Sequence, residues 1–193
     1  MSEKTDIIEN ILDFELKMFL SVKSRHKASC QEHPDSFRIN RKAQFLAWSE
    51  KTLNCYLKDL QEADRKGVNM MTQKYARMEN LIPKLKDNPL MESIIEIQYK
   101  WQNQMFDKYP NLMGGARSLS STDDTSFGTS FETYMRGELE TYSDETLASL
   151  HKDLLDKVQE GENMTEELYS HLVLASGYSS LEDAEAIAKK NRG

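Results

Sequence analysis

The chain has 193 residues, with 8 Gly and 4 Pro against 7 Phe, 8 Tyr and 2 Trp, so it can bury one sizeable core and carries too few chain breakers for a disordered or linker-rich segment. Its net charge of -7 and pI near 5.2 argue against a nucleic-acid partner, which needs a basic stripe, and no apolar run approaches the length of a membrane span. The acid-rich start MSEKTDIIENILDFELKMF lacks a signal peptide's basic flank and unbroken apolar stretch, and Cys30 and Cys55 cannot build a disulfide framework, so the reading is a cytoplasmic, reduced protein.

In chain order, Ile8, Ile11, Leu12, Phe19 and Val22 recur at helical spacing, and Glu15 falls on the same face. An irregular loop covers 23–36, and a short helix follows from about Phe37 to Trp48. Ser49 is placed to cap the next helix, whose apolar face is Leu53, Tyr56, Leu57 and Leu60; Gly67 can take the left-handed conformation that ends it, and Asn69 caps a further helix. The order then recurs. Ile95, Tyr99 and Phe106 mark a helix, 107–130 an irregular loop, and Phe131 to Tyr142 a short helix. Ser143 is a cap with Asp144 and Glu145 in its first turn, Leu147, Leu150 and Leu154 form an apolar face, and Gly161 is a stop. Asn163 and Glu166 are spaced as a capping box, and a last helix starts at Ser179 or Ser180. No alternating Val/Ile/Thr run bounded by tight turns predicts a strand.

The recurrence extends to residue identity. Shifting the chain by 94 aligns 36–75 with 130–169 at twelve of forty positions, where composition alone yields about two or three. Upstream, IIENILDFELKMF (7–19) aligns with IIEIQYKWQNQMF (94–106) at a shift of 87, so the second loop is longer by seven residues. We therefore predict an all-α helical bundle built from two tandem pseudo-symmetric repeats of about four helices each, 6–82 and 91–176, with a C-terminal helix near 180–191, all within one compact domain, 1–193. An axis along the bundle would bring both irregular loops to one end. Residues 1–86 hold 16 basic and 12 acidic side chains and residues 87–193 hold 9 and 20; net charges of +4 and -11 would draw the halves together within a Debye length of about 10 Å.

Glu15 stands out, because a carboxylate on an apolar face must be paired or suffer desolvation of several kcal/mol. Its counterpart is Gln102, and Arg41, Gln44, Arg136 and Glu138 are candidate partners in a polar centre at the junction of the repeats. An Arg–carboxylate pair there would be bidentate; an ordinary packing salt bridge is the plainer reading. His26, Cys30 and His33 form HxxxCxxH in the first loop, three ligands where a structural zinc site takes four; a reactive Cys30 thiol, with Arg25 and Lys27 near it, is the alternative, and a buried small residue the plainer one. In the second loop Gly114 and Gly115 free the backbone, Arg117 offers a fork, and Ser120, Ser121 and Thr122 offer hydroxyls, an arrangement able to cradle an anion without any phosphate-loop spacing. Asp123 and Asp124 can ligate a hard cation or cap a turn. Trp48 and Tyr142 form a pocket wall or simply core. No cofactor is specified.

The stretches ASCQ, QFLAWS, YLKDL, KYARMEN and TSFETYMRGELETYS together resemble the bacterial family filed as domain of unknown function 4125, from about residue 7 to the Leu-Glu-Asp-Ala near 184. That resemblance implies a bacterial intracellular protein and brings no catalytic residues. With a duplicated helical fold and no catalytic motif, the sequence points to a protein-interaction or regulatory module; the alternative is a small-molecule-binding protein or enzyme with a polar site between the repeats. The partner is then another protein or a small molecule, with no role for nucleic acid or membrane.

Overall fold

The computed structural model describes residues 3–22, 34–125 and 128–192. Among these are nine α-helices: α1 (Glu3–Leu20), α2 (Pro34–Leu46), α3 (Glu50–Arg65), α4 (Met70–Met78), α5 (Pro89–Lys108), α6 (Phe131–Leu139), α7 (Asp144–Glu160), α8 (Met164–Ala175) and α9 (Leu181–Arg192). The extended pairing among the described residues is one antiparallel bridge between Thr125 and Gly128. The expected all-helical class is what forms.

The helix boundaries follow from local chemistry. Ser49 and Ser143 each accept the N–H three residues on, Thr52 at 3.2 Å and Thr146 at 3.1 Å, and Asn69 and Asn163 do the same for Thr72 at 2.8 Å and Glu166 at 3.0 Å. Each satisfies an amide that an α-helix leaves without an internal acceptor. Gly161 ends α7 at φ 73 and Gly67 follows α3 at φ 68, where a Cβ would clash with its own backbone. Two limits differ from the sequence reading. α2 begins at Pro34, because proline is suited to the first helical turn, and both short helices stop early: Ala47 and Trp48 close a tighter turn, donating to Gln44 and Phe45 at 3.2 Å.

α1 packs on α3, α2 and α4, and α5 on α7, α8 and α6; α3 crosses α7, α4 crosses α6 and α2 crosses α8. The main core joins Ile8, Ile11 and Leu12 of α1, Leu53, Tyr56 and Leu60 of α3, Ile94 and Ile95 of α5, and Leu147, Leu150 and Leu154 of α7. Gly137 permits the α4–α6 crossing, since a Cβ there would stand 2.9 Å from the Met78 side chain and 3.1 Å from the Lys74 carbonyl. A smaller core of Met105, Tyr109, Met113, Val173, Leu181 and Ala184 seats α9 against the end of α5. From α9, Glu185 accepts the backbone N–H groups of Asn111 (3.1 Å) and Leu112 (2.6 Å), which anchors the chain leaving α5.

Two reciprocal ties join α3 to α7. Asp153 accepts the Ser49 N–H at 3.0 Å and the Thr52 hydroxyl at 2.7 Å, while Asp59 accepts the Ser143 N–H at 2.9 Å and the Thr146 hydroxyl at 2.7 Å. Each helix thus completes the other's cap. Charge follows the same logic: among the described residues, every ion pair joining 1–86 to 87–193 takes its base from the first segment and its acid from the second. These are Arg41 and Lys74 with Glu138, Lys58 with Glu145, Arg77 with Glu140, and Lys86 with Asp144.

Candidate functional site

Burial of charge is concentrated where α1, α2, α4 and α6 meet. Glu15, Arg41, Lys74 and Glu138 are 0%, 4%, 2% and 2% exposed. Arg41 grips Glu15 with a two-pronged contact, Nε to Oε2 at 2.8 Å and Nη2 to Oε1 at 2.5 Å, and the same Nη2 lies 2.8 Å from Glu138 Oε1. Lys74 Nζ donates to Glu138 Oε2 at 2.6 Å. Two buried phenols complete the set, Tyr56 donating to Glu15 at 2.7 Å and Tyr142 to Glu138 at 2.6 Å. Two carboxylates face two cations, so the cluster is formally neutral, and every oxygen of both carboxylates has a donor.

Burial alone would drive these groups to their neutral forms, but the pairing reverses it for each charged one with a resolved shift. For Glu138, burial pushes the carboxyl up and the charges of Arg41 and Lys74, with the Lys74 and Tyr142 hydrogen bonds, hold it well below the usual carboxylate range. Burial opposes the Lys74 and Arg41 charges too, and the facing carboxylates raise both pKa values regardless. Tyr56 and Tyr142 are pushed well above the ordinary phenol value by burial and then by the adjacent Glu15 and Glu138 charges. A lysine held protonated is no nucleophile, and phenols held neutral are no bases. What this arrangement can do is fix the positions of the helices that meet in it.

Of the residues singled out from sequence, Glu15, Arg41 and Glu138 meet here, and Gln44 adjoins them, its Oε1 accepting from Arg41 Nη1 at 2.8 Å. Arg136 does not: it points outward to Glu92 and Glu132. Gln102, 5% exposed, donates to the Tyr169 hydroxyl at 3.3 Å rather than to the charged cluster. Lys74, Tyr56 and Tyr142 were missed as members. The signal for Lys74 was its spacing, four residues after Met70 and three after Met71, which sets it on the buried face of α4. The phenols read as core aromatics, and they are, with the Tyr56 and Tyr142 rings tilted at 54° and 4.8 Å between centroids.

His26, Cys30 and His33 lie outside the described residues. Among the described residues no group of three or more His, Cys, Asp or Glu is placed to hold a metal ion. Asp124 accepts the Ser130 N–H at 2.5 Å and the Thr133 hydroxyl, bracing the start of α6, whose N-cap is Ser130; Asp123 ends a 3₁₀ turn, Ser121–Asp123, whose cap is Ser120. Ser120 Oγ accepts both the Thr122 N–H, at 3.2 Å, and the Thr122 hydroxyl, at 2.9 Å. Ser93 Oγ and His151 Nε2 are 2.8 Å apart, a contact unmarked in the sequence reading, but both sit within helices α5 and α7, whose amides are already engaged in the helical ladder and cannot stabilise an oxyanion. Burial, then the nearby Glu145 charge, raises the Cys55 thiol, so it is not an activated nucleophile.

On the other side of Arg41 and Gln44 opens a cleft of about 340 Å³ between α2, α5, α6 and α8, with the 115–117 segment over one edge. Its polar side chains include the carboxamides of Gln44, Gln98 and Gln102; Trp48, Tyr134 and Tyr169 are its aromatic walls; and Met135, Met164 and Leu168 add apolar surface. Among the described residues Arg117 is the single charged one of the lining. Its guanidinium lies 4.9 Å from the Tyr134 ring centroid and donates through Nη1 to Thr129 O and Oγ1 at 2.8 and 2.7 Å. Lys74 also lies over the Tyr134 ring, at 3.7 Å, so one aromatic joins the charged centre to the cleft.

Among the described residues, no helix is long and apolar enough to cross a membrane. A family model described as "Protein of unknown function (DUF4125)" matches residues 5–186. No curated protein and no solved structure matches the chain.

Proposed function

The chain belongs to the DUF4125 family, and we propose that its cleft of about 340 Å³ binds a small molecule, with the charged centre beside it acting as a rigid wall rather than as catalytic machinery. The reading takes the chain as two tandem pseudo-symmetric repeats, 6–82 and 91–176, in one domain. The observation that carries it is a correspondence of positions. At the shifts that align the repeats, Glu15, Arg41 and Lys74 match Gln102, Met135 and Leu168, and all three of the latter line the cleft. The facing pair matches as well: Glu138 and Tyr142, which complete the charged centre, correspond to Gln44 and Trp48, which also line the cleft. The charged centre, drawn from both copies, is filled with four charges and their hydrogen bonds; at the matching positions of the cleft, neutral side chains from both copies surround open space.

A concave, mostly apolar space with a few convergent polar groups, at the lower end of the roughly 300–1,000 Å³ usual for small-molecule sites, supports the same reading. A protein-interaction module is the second reading, favoured by Leu155 and Val158, one turn apart on α7 and 46% and 50% exposed. The buried free thiol of Cys55 accords with a reducing, cytoplasmic setting. Ligand-observed NMR with a chemically broad library of small molecules tests the proposal. Hits should be competitive with one another and lost in Leu168→Trp, which fills the cleft from one wall; no hit sensitive to that substitution overturns it.

A further inference from the structure

Resting on the reading of the cleft as a small-molecule site, we infer that its ligand is a small organic anion with a flat apolar body, the body held between Trp48, Tyr134 and Tyr169 and the anionic group at the Gln44–Arg117 side. The inference starts from charge. In a chain of net charge -7, the cleft lining among the described residues holds no carboxylate and one cation, Arg117. Asp124 is near enough for the Arg117 charge to favour its ionised form, but both its oxygens are committed to Ser130 and Thr133. Among the described residues it makes no ion pair with Arg117. The guanidinium spends one nitrogen on Thr129, and its fork retains donors for a bidentate contact with a carboxylate or phosphate.

Hydrogen-bond polarity agrees with charge. Arginine only donates, so the Gln44 oxygen is the atom that meets Arg41 Nη1, and the amide's two N–H donors are left for the cleft. The charged centre thereby fixes which end of this carboxamide a ligand meets, and that end seeks an acceptor. Gln98 also lines the cleft, but its Oε1 is out of contact with solvent, so that oxygen is not counted among the groups a ligand meets. A second guanidinium, Arg192, rests against Gly114 beside the cleft rim, where a Cβ would collide with it; Glu185 faces it but is engaged by Asn111 and Leu112. The walls favour planarity, because aromatic rings pair best with another π face.

Isothermal titration calorimetry on the full chain with four naphthalenes of one shape tests this: 1-naphthoate, 1-naphthyl phosphate, neutral 1-naphthamide and the 1-naphthylmethylammonium cation. A charge-assisted contact predicts that at least one anion binds about tenfold tighter than the amide and that the cation binds weakest. Arg117→Gln, at an exposed position, should abolish the anion's advantage and leave the amide's affinity unchanged, and added salt should narrow the gap. The ratio of naphthoate to naphthyl phosphate then says which anionic group the site takes. An amide that binds as well as both anions, or a cation that binds best, overturns the inference and leaves the cleft reading standing. Failure of all four to bind overturns the inference, and if the broad library also yields no hit sensitive to Leu168→Trp, the cleft reading falls separately.

Discussion

Glu138→Gln is the substitution to which the charged centre should respond most strongly. The carboxylate holds Lys74 Nζ at 2.6 Å and Arg41 Nη2 at 2.8 Å; at an effective dielectric of about 20 each contact is a gross attraction of about 6 kcal/mol. Desolvation of the ions, several kcal/mol apiece, offsets most of that sum in the native protein. Glutamine keeps the volume and an acceptor but removes the charge, so the cluster passes from neutral to +1 and Lys74 remains buried without a counter-ion of its own. Breaking a buried pair in this way costs about 3–5 kcal/mol. With a urea m-value of about 2 kcal/mol/M, the unfolding midpoint should fall by about 2 M, read by circular dichroism. Adding Lys74→Met restores neutrality and should recover more than half of the loss, a coupling that independent sites would not show. A single variant that shifts the midpoint by less than about 0.5 M, or a double variant no more stable than the single one, would refute the reasoning that this cluster is a balanced charge set.

The other expected outcomes concern pH and geometry. Because Glu138 is held below its unfolded value of about 4.3, its contribution to stability is complete above about pH 5 and is lost as pH falls through the folded-state pKa; Glu138→Gln should flatten the acid limb of a stability-versus-pH curve measured by urea titration. Gly137→Ala should destabilise by about 1–3 kcal/mol through overpacking against the Lys74 carbonyl and Met78, although alanine at an open helical position would stabilise by about 1 kcal/mol; thermal melting gives the sign. Asp153→Ala and Asp59→Ala each strip a backbone N–H and a threonine hydroxyl of their acceptor and should each cost about 1–3 kcal/mol, with similar values if the two ties are equivalent, as chemical denaturation will show.

Helices and their caps were legible in the sequence because they depend on neighbours in the chain. Ser49, Asn69, Ser143 and Asn163 cap by accepting an amide three residues on, and no tertiary information enters. Glu15 was legible for a related reason, since a charge at an apolar position of a 3.6-residue period has to be answered by something. What answered it depended on how the helices cross. Arg136 and Arg41 look alike as candidates in the sequence, yet Arg136 turns to Glu92 across the solvent-facing side of α5 and α6, and Arg41 turns inward. Lys74 was hidden by the opposite habit, that lysine on a helix is read as solvated; the close α4–α6 approach at Gly137 brings it to Glu138. Gln44, Trp48, Gln102 and Arg117 of the cleft lining were singled out from sequence, but the space they share was not legible, because a void is a property of side chains that fail to meet.

That void and the charge cluster are best understood together. On the proposed reading of the chain as two tandem repeats, the two centres occupy equivalent positions, and a buried ion pair is tolerated only when each partner is present with good geometry. Positions 15, 41, 74 and 138 hold such a set, whereas 102, 135, 168 and 44 hold Gln, Met, Leu and Gln, side chains that need no ionic partner and leave space. Arg41 and Gln44, one turn apart on α2, face the two environments, and the bond between them, 2.8 Å, makes the orientation of a cleft-lining amide depend on a charge outside the cleft. Glu138→Gln should therefore disturb ligand binding as well as stability by loosening Arg41, while Arg117→Gln should leave stability unchanged and alter binding alone. Those two variants separate a cleft that is merely a packing defect from one whose wall is set by the buried charges: in the first case neither substitution reaches a ligand, and in the second both do, by different routes.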